Sequence, residues 1–173
     1  MRTEPRRKDR IMKNPRDMEL LLERMPVGRL GVTTKDGPYV VPVNYLFFDG
    51  AIYFHSAPVG LKAEALRADP RVCFEVDEAG PQVLWDKRCG ITQIYKSVLC
   101  YGRAEFLEGL DKKRDILERM LTKYVPAGNA RSPMKDQAIE GTAIVKIAIG
   151  WMSGKENLLA PFHKVIANSL WKE

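Results

Sequence analysis

Apolar residues recur at two different periods along the chain, and the change of period separates helices from strands. Residues 14–26 follow the helical period, with Asn14 suited to cap the helix and Pro15 to its first position. From Val27 the period changes to two, which is typical of strands. The pattern predicts strands over residues 29–34, 39–48, 51–56, 71–76, 91–107 and 142–152, and further helices over 61–68 and 112–124, the latter capped by Asp111.

Short turns join most of the predicted strands, which indicates antiparallel pairing. Asp49-Gly50 between two apolar runs predicts a tight hairpin, because glycine takes positive φ at little cost. Pro42 cannot donate to a ladder and therefore predicts an edge or a bulge, and Gly102 predicts a bend. Loops are expected over 77–88 and 126–136. We therefore predict a mostly β fold with peripheral α-helices, a six-stranded antiparallel barrel.

The chain divides into three predicted segments. Residues 1–13 form a basic, loosely ordered arm, and residues 14–155 form the barrel domain. Residues 156–173 are too apolar for a free tail, so we expect this extension to pack on the barrel or on a partner subunit. Five basic residues crowd into the first ten, and the formal net charge is +6. The simplest interpretation of the arm is a solvated segment that binds neither nucleic acid nor membrane.

Several function classes lack their sequence signals. No apolar run reaches the ~20 residues of a membrane span, and the charged N-terminus does not resemble a signal peptide, so we expect a cytoplasmic protein. The chain has two histidines and three widely spaced cysteines, which argues against a metal site. Motifs for a Rossmann site, a phosphate-binding loop and a serine hydrolase elbow are absent.

One stretch has the chemistry of an anion site. The predicted strand 51–56 ends in His55 and Ser56, and Gly60 and Lys62 follow at the start of a predicted helix. Free N–H groups at a helix start, a glycine that allows close approach and a lysine suit a phosphate group. The alternative, in which His55 merely ends a strand and Lys62 is solvated, stays open at this point.

Six motifs occur together in the order and spacing of a known family. They are Val27-Gly28-Arg29-Leu30-Gly31, Pro38 to Tyr45, Ile52 to Ala57, Gly60-Leu61-Lys62, Pro70 to Val76 and Tyr95-Lys96-Ser97-Val98-x-x-Tyr101-Gly102. The ordered set, over roughly residues 6–155, resembles the pyridoxamine 5′-phosphate oxidase-related FMN-binding split barrels, specifically their nitroimidazole-reductase group. The segment Ile149 to Lys155 departs from the group's usual acidic approach to Gly-Lys. Trp151 there either stacks near the flavin or fills the barrel end.

The resemblance implies a homodimer with FMN at the subunit interface. Pro42, Val43, Asn44 and Tyr45 would then run along the isoalloxazine through backbone contacts, and His55, Ser56, Gly60 and Lys62 would face the phosphate. Tyr95, Ser97 and Val98 would line the other side of the flavin pocket. No catalytic residue is assigned, and His55 is kept as the one candidate.

The implied activity is an FMN-dependent oxidoreductase that reduces a small organic acceptor, with NAD(P)H as a candidate donor. A flavin carrier or sensor without turnover is the alternative, because both functions need the same pocket. Haem or the deazaflavin F420 in the same barrel is a third interpretation. Trp85, a large aromatic residue in a polar stretch, is expected to pack on a partner or a ligand.

Overall fold

The computed structural model describes residues 6–84, 91–126, 129, 132–158 and 164–166. Its helices are α1 (Pro15–Arg24), α2 (Leu61–Ala68), α3 (Leu110–Tyr124) and α4 (Asp136–Glu140). Its strands are β1 (Val27–Thr34), β2 (Gly37–Asn44), β3 (Leu46–Phe48), β4 (Ala51–Ser56), β5 (Arg71–Leu84), β6 (Ile91–Phe106), β7 (Ala143–Asn157) and β8 (Lys164–Ile166). No described helix is both long and apolar enough to cross a membrane.

The strands form one antiparallel sheet in the order β2-β1-β5-β6-β7-β4-β3, with β8 added to β5. Its two outermost strands, β2 and β3, follow one another in the chain and are separated only by Tyr45. The sheet curls until these edges meet at one residue, but they are not hydrogen-bonded neighbours. This is a split barrel, and it confirms the predicted fold class.

Local sequence signals account for several elements. The Asn14 side chain accepts a hydrogen bond from the Arg16 N–H at 3.1 Å, which caps α1 as predicted. Asp49 and Gly50 have φ values of 50° and 68°, the pair of positive values that a tight hairpin turn requires. The β6–β7 register shifts between Tyr101 and Gly102, which pair with Trp151 and Ile149, so a bulge lies opposite Gly102 and its extra residue is Gly150 of β7.

Two apolar clusters hold the barrel and its helices together. The larger fills the barrel and includes Leu30, Phe54 and Phe74, all fully buried, together with Leu22 of α1. A Cβ on Gly28 would lie 2.0 Å from the Phe74 ring, so this position needs glycine. The smaller cluster packs α3 against the outside of β4 and β7 and comprises Ala51, Tyr53, Ile116, Met120 and Ile144.

Four predictions from the pattern were wrong in detail. The described residues contain eight strands instead of six, because the predicted strand 39–48 breaks at Tyr45 and β8 pairs with β5. The predicted loop after residue 76 is strand as far as Leu84, and the turn signal Gly80-Pro81 lies in a bulge instead. Gly109, with φ of 93°, takes the cap position of α3 that was assigned to Asp111. The predicted loop 126–136 runs into a short helix, α4.

The end of the predicted N-terminal arm contacts the barrel. Residues 8–10 form a 3₁₀ turn, and the Met12 N–H donates to the Gly154 carbonyl at 3.0 Å. Met12 is buried against Gly154 and Met18, where a Cβ on the glycine would clash with both methionines. The chain is thus anchored to β7 before α1 begins.

The hydroxyl of Tyr124 closes the barrel at the split. It accepts a hydrogen bond from the Tyr45 N–H at 2.7 Å and lies 2.7 Å from the carbonyl oxygens of Tyr45 and Pro26, to which it can donate. At Tyr45 the chain has left β2 and has not yet entered β3, so its backbone has no ladder partner. A side chain from α3 supplies those hydrogen bonds instead.

Replacing this hydroxyl should therefore destabilise the whole barrel. We expect Tyr124→Phe to lower the free energy of unfolding by about 1–3 kcal/mol, because the buried Tyr45 N–H loses its partner. Tyr39→Phe is the matched control, since the Tyr39 hydroxyl bonds to no other described residue, and its effect should stay within about 0.5 kcal/mol. Urea titrations measure the stability of both variants. Equal midpoints would refute the role of the Tyr124 hydroxyl in closing the barrel.

Candidate functional site

The predicted anion site lies where β4 ends and α2 begins. His55 is exposed and Ser56 is half-buried at the end of β4, and the chain then turns through Gly60 into α2. Gly60 caps the helix with φ of 99°, a conformation that favours glycine, and open space lies where a Cβ would project. Arg67 donates to the Pro58 carbonyl at 2.8 Å and so ties the turn to the body of α2.

Lys62 is the cation of this site and is only partly solvated. Its ammonium lies 5.5 Å from the centre of the Phe54 ring, which brings it back towards the end of β4. Burial lowers the pKa of Lys62. Among the described residues no carboxylate pairs with it. The first N–H groups of α2 lack helical partners as in any helix, so an anion here would meet both N–H groups and a positive charge.

The end of β2 presents alternate residues to the surface. Pro42 and Asn44 are exposed, while Val43 between them is buried. β2 is an edge strand of the sheet, as Pro42 predicted, so its outer side is not covered by another described strand. Pro42 and Asn44 are therefore the members of this predicted segment whose side chains reach the surface.

Tyr45 belongs to the core. Its side chain is fully buried, its hydroxyl donates to the Leu22 carbonyl at 2.6 Å, and its ring meets Phe74 edge-on at 4.9 Å. Burial raises the pKa of the Tyr45 phenol far above its usual range. The Lys123 ammonium lies 4.0 Å from the centre of the same ring, and burial lowers the pKa of that lysine to about 8. Tyr45 positions its neighbours and does not project into the site.

The remaining predicted flavin-binding residues, Tyr95, Ser97 and Val98, lie elsewhere on the barrel. Ser97 pairs with Lys155 near the end of β7, whereas His55 pairs with Ile144 near its beginning. The two partners are 11 residues apart on β7, a path of roughly 36 Å at ~3.3 Å per residue. Tyr95 and Ser97 are half-buried, and Val98 is fully buried. One chain therefore does not bring both groups to a single site.

A cavity that the sequence did not reveal lies beside His55 and Asn44. It measures about 280 Å³ and is bounded by the ends of β2 and β4, by α3 and by α4. Its apolar lining is supplied by Leu117, Met120, Leu121, Met134, Ala138 and Ile139. Nothing in the sequence distinguishes these positions from ordinary core or loop residues, because the cavity forms only where α3 and α4 meet the ends of β2 and β4.

Other residues noted in the sequence are placed as follows. Trp151 is half-buried and packs on Tyr101, with ring centres 5.5 Å apart across the β6–β7 pair. Cys73 is half-buried on β5 and Cys100 is buried, and burial raises the pKa of both thiols. Trp85, Cys89, His163 and most of the C-terminal extension lie outside the described residues.

The architecture defines the class: a split β-barrel protein with a candidate anion site on its surface. The sequence model described as pyridoxamine 5′-phosphate oxidase matches residues 14–156. The chain belongs to the pyridoxamine 5′-phosphate oxidase family.

Solved structures agree with this assignment. A protein of Bacteroides thetaiotaomicron proposed to confer 5-nitroimidazole antibiotic resistance is 26% identical, with a TM-score of 0.72 over 84% of this chain and 85% of that one. A FAD-binding protein of Mesorhizobium loti is 30% identical, with a TM-score of 0.61 over 86% and 98%. The flavocytochrome Anf3 of Azotobacter vinelandii, at 19% identity and a TM-score of 0.83 over 96% and 76%, shares the fold. No curated protein matches the sequence.

Proposed function

We propose that the protein is an FMN-dependent oxidoreductase of the nitroimidazole-reductase type, which works as a homodimer and reduces small organic acceptors. The observation that carries the proposal is Lys62, a partly buried cation without a carboxylate partner among the described residues. It follows Gly60 at the start of a helix. This is the donor set that a flavin phosphate requires.

The residues fit the cofactor in distinct roles. Ser56 and Lys62 would donate to the phosphate, and Gly60 would let it approach the backbone of α2, whereas His55 faces the cavity beside α3. Pro42 and Asn44 offer the exposed surface along which the ring would lie. Val43 and Tyr45 would support that surface from the core. Bound flavin would supply the electron-transfer chemistry, so none of these residues has to act as an acid or a base.

The rest of the pocket would come from a second subunit. Tyr95, Ser97 and Val98 lie on β6 and pair with the end of β7 that is far from the partner of His55. They can therefore line the same flavin only if a partner chain provides them. Exposed apolar side chains occur in and near these segments: Val59 and Leu61 beside Gly60 are 74% and 47% exposed, and Val40 of β2 is 63% exposed. Such surface near a half-built site suits a two-fold interface.

The similar proteins support a flavin, and they leave room for a different redox group. The relative from Mesorhizobium loti is FAD-binding, and a protein of Mycobacterium smegmatis with the same fold binds FAD and haem. We favour FMN because the described site offers one phosphate position and we find no second basic cluster beside it. The absorption spectrum of the purified protein distinguishes flavin from haem and F420.

Removing the positive charge of Lys62 should weaken flavin binding and leave the fold intact. We expect Lys62→Met to raise the FMN dissociation constant about 10- to 100-fold, the scale of one lost charge-assisted hydrogen bond. Lys112→Met is the matched control, because Lys112 is an exposed lysine of α3 that is not one of the predicted phosphate-binding residues. Fluorescence titration with FMN measures both, and equal affinities would show that the phosphate does not bind at Lys62.

Mixing two defective subunits should restore flavin binding if each pocket combines two chains. Lys62→Met and Tyr95→Ala each damage a different half, so a mixed dimer contains one intact site and one doubly damaged site. After random exchange of equal amounts, about a quarter of all sites should bind FMN with native affinity, since half the dimers are mixed. A mixture that binds no better than its components, although sedimentation shows exchanged dimers, would contradict the shared pocket.

Turnover separates a reductase from a flavin carrier. We expect the FMN-loaded protein to oxidise NAD(P)H in the presence of a nitroaromatic acceptor at least about tenfold faster than free FMN at the same concentration, because a bound acceptor is held next to the flavin. Anaerobic absorbance assays at 340 nm, where NAD(P)H absorbs, measure both rates. A rate equal to that of free FMN would favour the carrier.

A further inference from the structure

The cavity beneath α3 and α4 opens next to the proposed flavin site. Asn44 and His55 are exposed and also line the cavity, so they lie at its mouth. Among the described residues neither the Asn44 amide nor the His55 imidazole has a hydrogen-bond partner. The mouth therefore has polar groups that are free to meet a ligand.

The interior of the cavity is apolar and uncharged. Six side chains supply its apolar wall, as described above, and two of them are methionines, which adapt to ligands of different shape. The two remaining polar side chains are already engaged. The Thr142 hydroxyl donates to the Ala138 carbonyl at 2.8 Å, and the Tyr124 hydroxyl is held by Tyr45. A charged ligand would lose its hydration here without gaining a counter-ion.

Three described cations around the cavity are bound to other partners. Arg114 pairs with Asp136, Lys113 donates to the Thr142 carbonyl at 3.1 Å, and Lys123 donates to the Met25 carbonyl at 2.8 Å. None of these three cations is among the residues that line the cavity. They do not convert it into an anion site.

We propose that this cavity is a binding site for a small, neutral, single-ring aromatic molecule, with its polar substituent held at the mouth by Asn44 and His55. A volume of about 280 Å³ is just below the ~300–1,000 Å³ of typical ligand pockets, which suits one ring rather than several. That this molecule is the electron acceptor of the flavin rests on the function proposed above. The binding site itself does not depend on that function.

Three probes of nearly the same shape and different charge test the ligand class. Benzamide is neutral, benzoate is an anion and benzamidine is a cation. In calorimetric titrations of the full-length, FMN-saturated protein at 0.15 M salt, benzamide should bind at least about tenfold more tightly than either charged probe, because the interior cannot compensate a charge. Benzoate binding as tightly as benzamide would overturn the inference, because the net charge of +6 would then explain it.

Filling the cavity tests its location. Ala138→Phe places a ring in the cavity from α4, and Leu117→Phe does so from α3, so failure of one variant to fold leaves the other. Each should weaken benzamide binding at least about tenfold by direct overlap, and leave FMN affinity within about twofold. Ala68→Phe is the control, since it fills a separate groove between α2 and the β1–β2 hairpin and should leave benzamide binding unchanged.

The outcomes separate this inference from the proposed function. If wild-type protein does not bind benzamide, or if both filled variants bind it normally, the cavity site is wrong whatever the flavin result. If filling weakens FMN and benzamide binding equally, the cavity holds part of the flavin and the separate site is also wrong. If benzamide binds as expected to protein that fails to bind FMN, the cavity site stands and the proposed function falls.

Discussion

The hydroxyl of Tyr124 is the contact on which the barrel depends. The edges of the sheet, β2 and β3, meet only at Tyr45, where the backbone has no ladder partner. Tyr124 bonds that backbone from α3, while the side chain of Tyr45 reaches through the core to the Leu22 carbonyl of α1. Two helices are thereby tied to one residue at the split. Without a polar partner, the buried N–H of Tyr45 would oppose closure by about 1–3 kcal/mol.

Tyr45 also determines which side chains of β2 face outwards, where we propose that the flavin lies. Side chains alternate along a strand, so burying Tyr45 and Val43 turns Asn44 and Pro42 outwards. A shift of one residue would bury Asn44 and expose Tyr45. The hydrogen bonds between Tyr124 and Tyr45 also keep α3 over the end of the sheet, where Tyr124 lines the cavity beside His55. One set of contacts, those around Tyr45 and Tyr124, closes the barrel, orients the proposed flavin surface and bounds the cavity.

The length of β7 explains why a single chain holds only part of the proposed pocket. A continuous strand cannot bring His55 and Ser97 together when their partners are 11 residues apart on it. The residues of the candidate anion site, Ser56, Gly60 and Lys62, are nevertheless close in sequence at the start of α2, so one subunit carries all three. In the proposed dimer, association would add the second wall to the candidate phosphate site of each subunit. This is a reason for the proposed cofactor to require the dimer.

The sequence by itself determined the local structure and the chemistry that depends on it. The cap at Asn14, the turn at Asp49-Gly50 and the candidate anion site around Lys62 all follow from residues within a few positions of one another. Tertiary structure decided what depends on distant residues. The break at Tyr45 needs Tyr124 from α3, 79 residues away. The cavity is formed by residues of β2, β4, α3 and α4, which are distant in sequence, and the pairing of β8 with β5 is equally long-range. Periodicity records which face of an element is buried, but not which partner buries it.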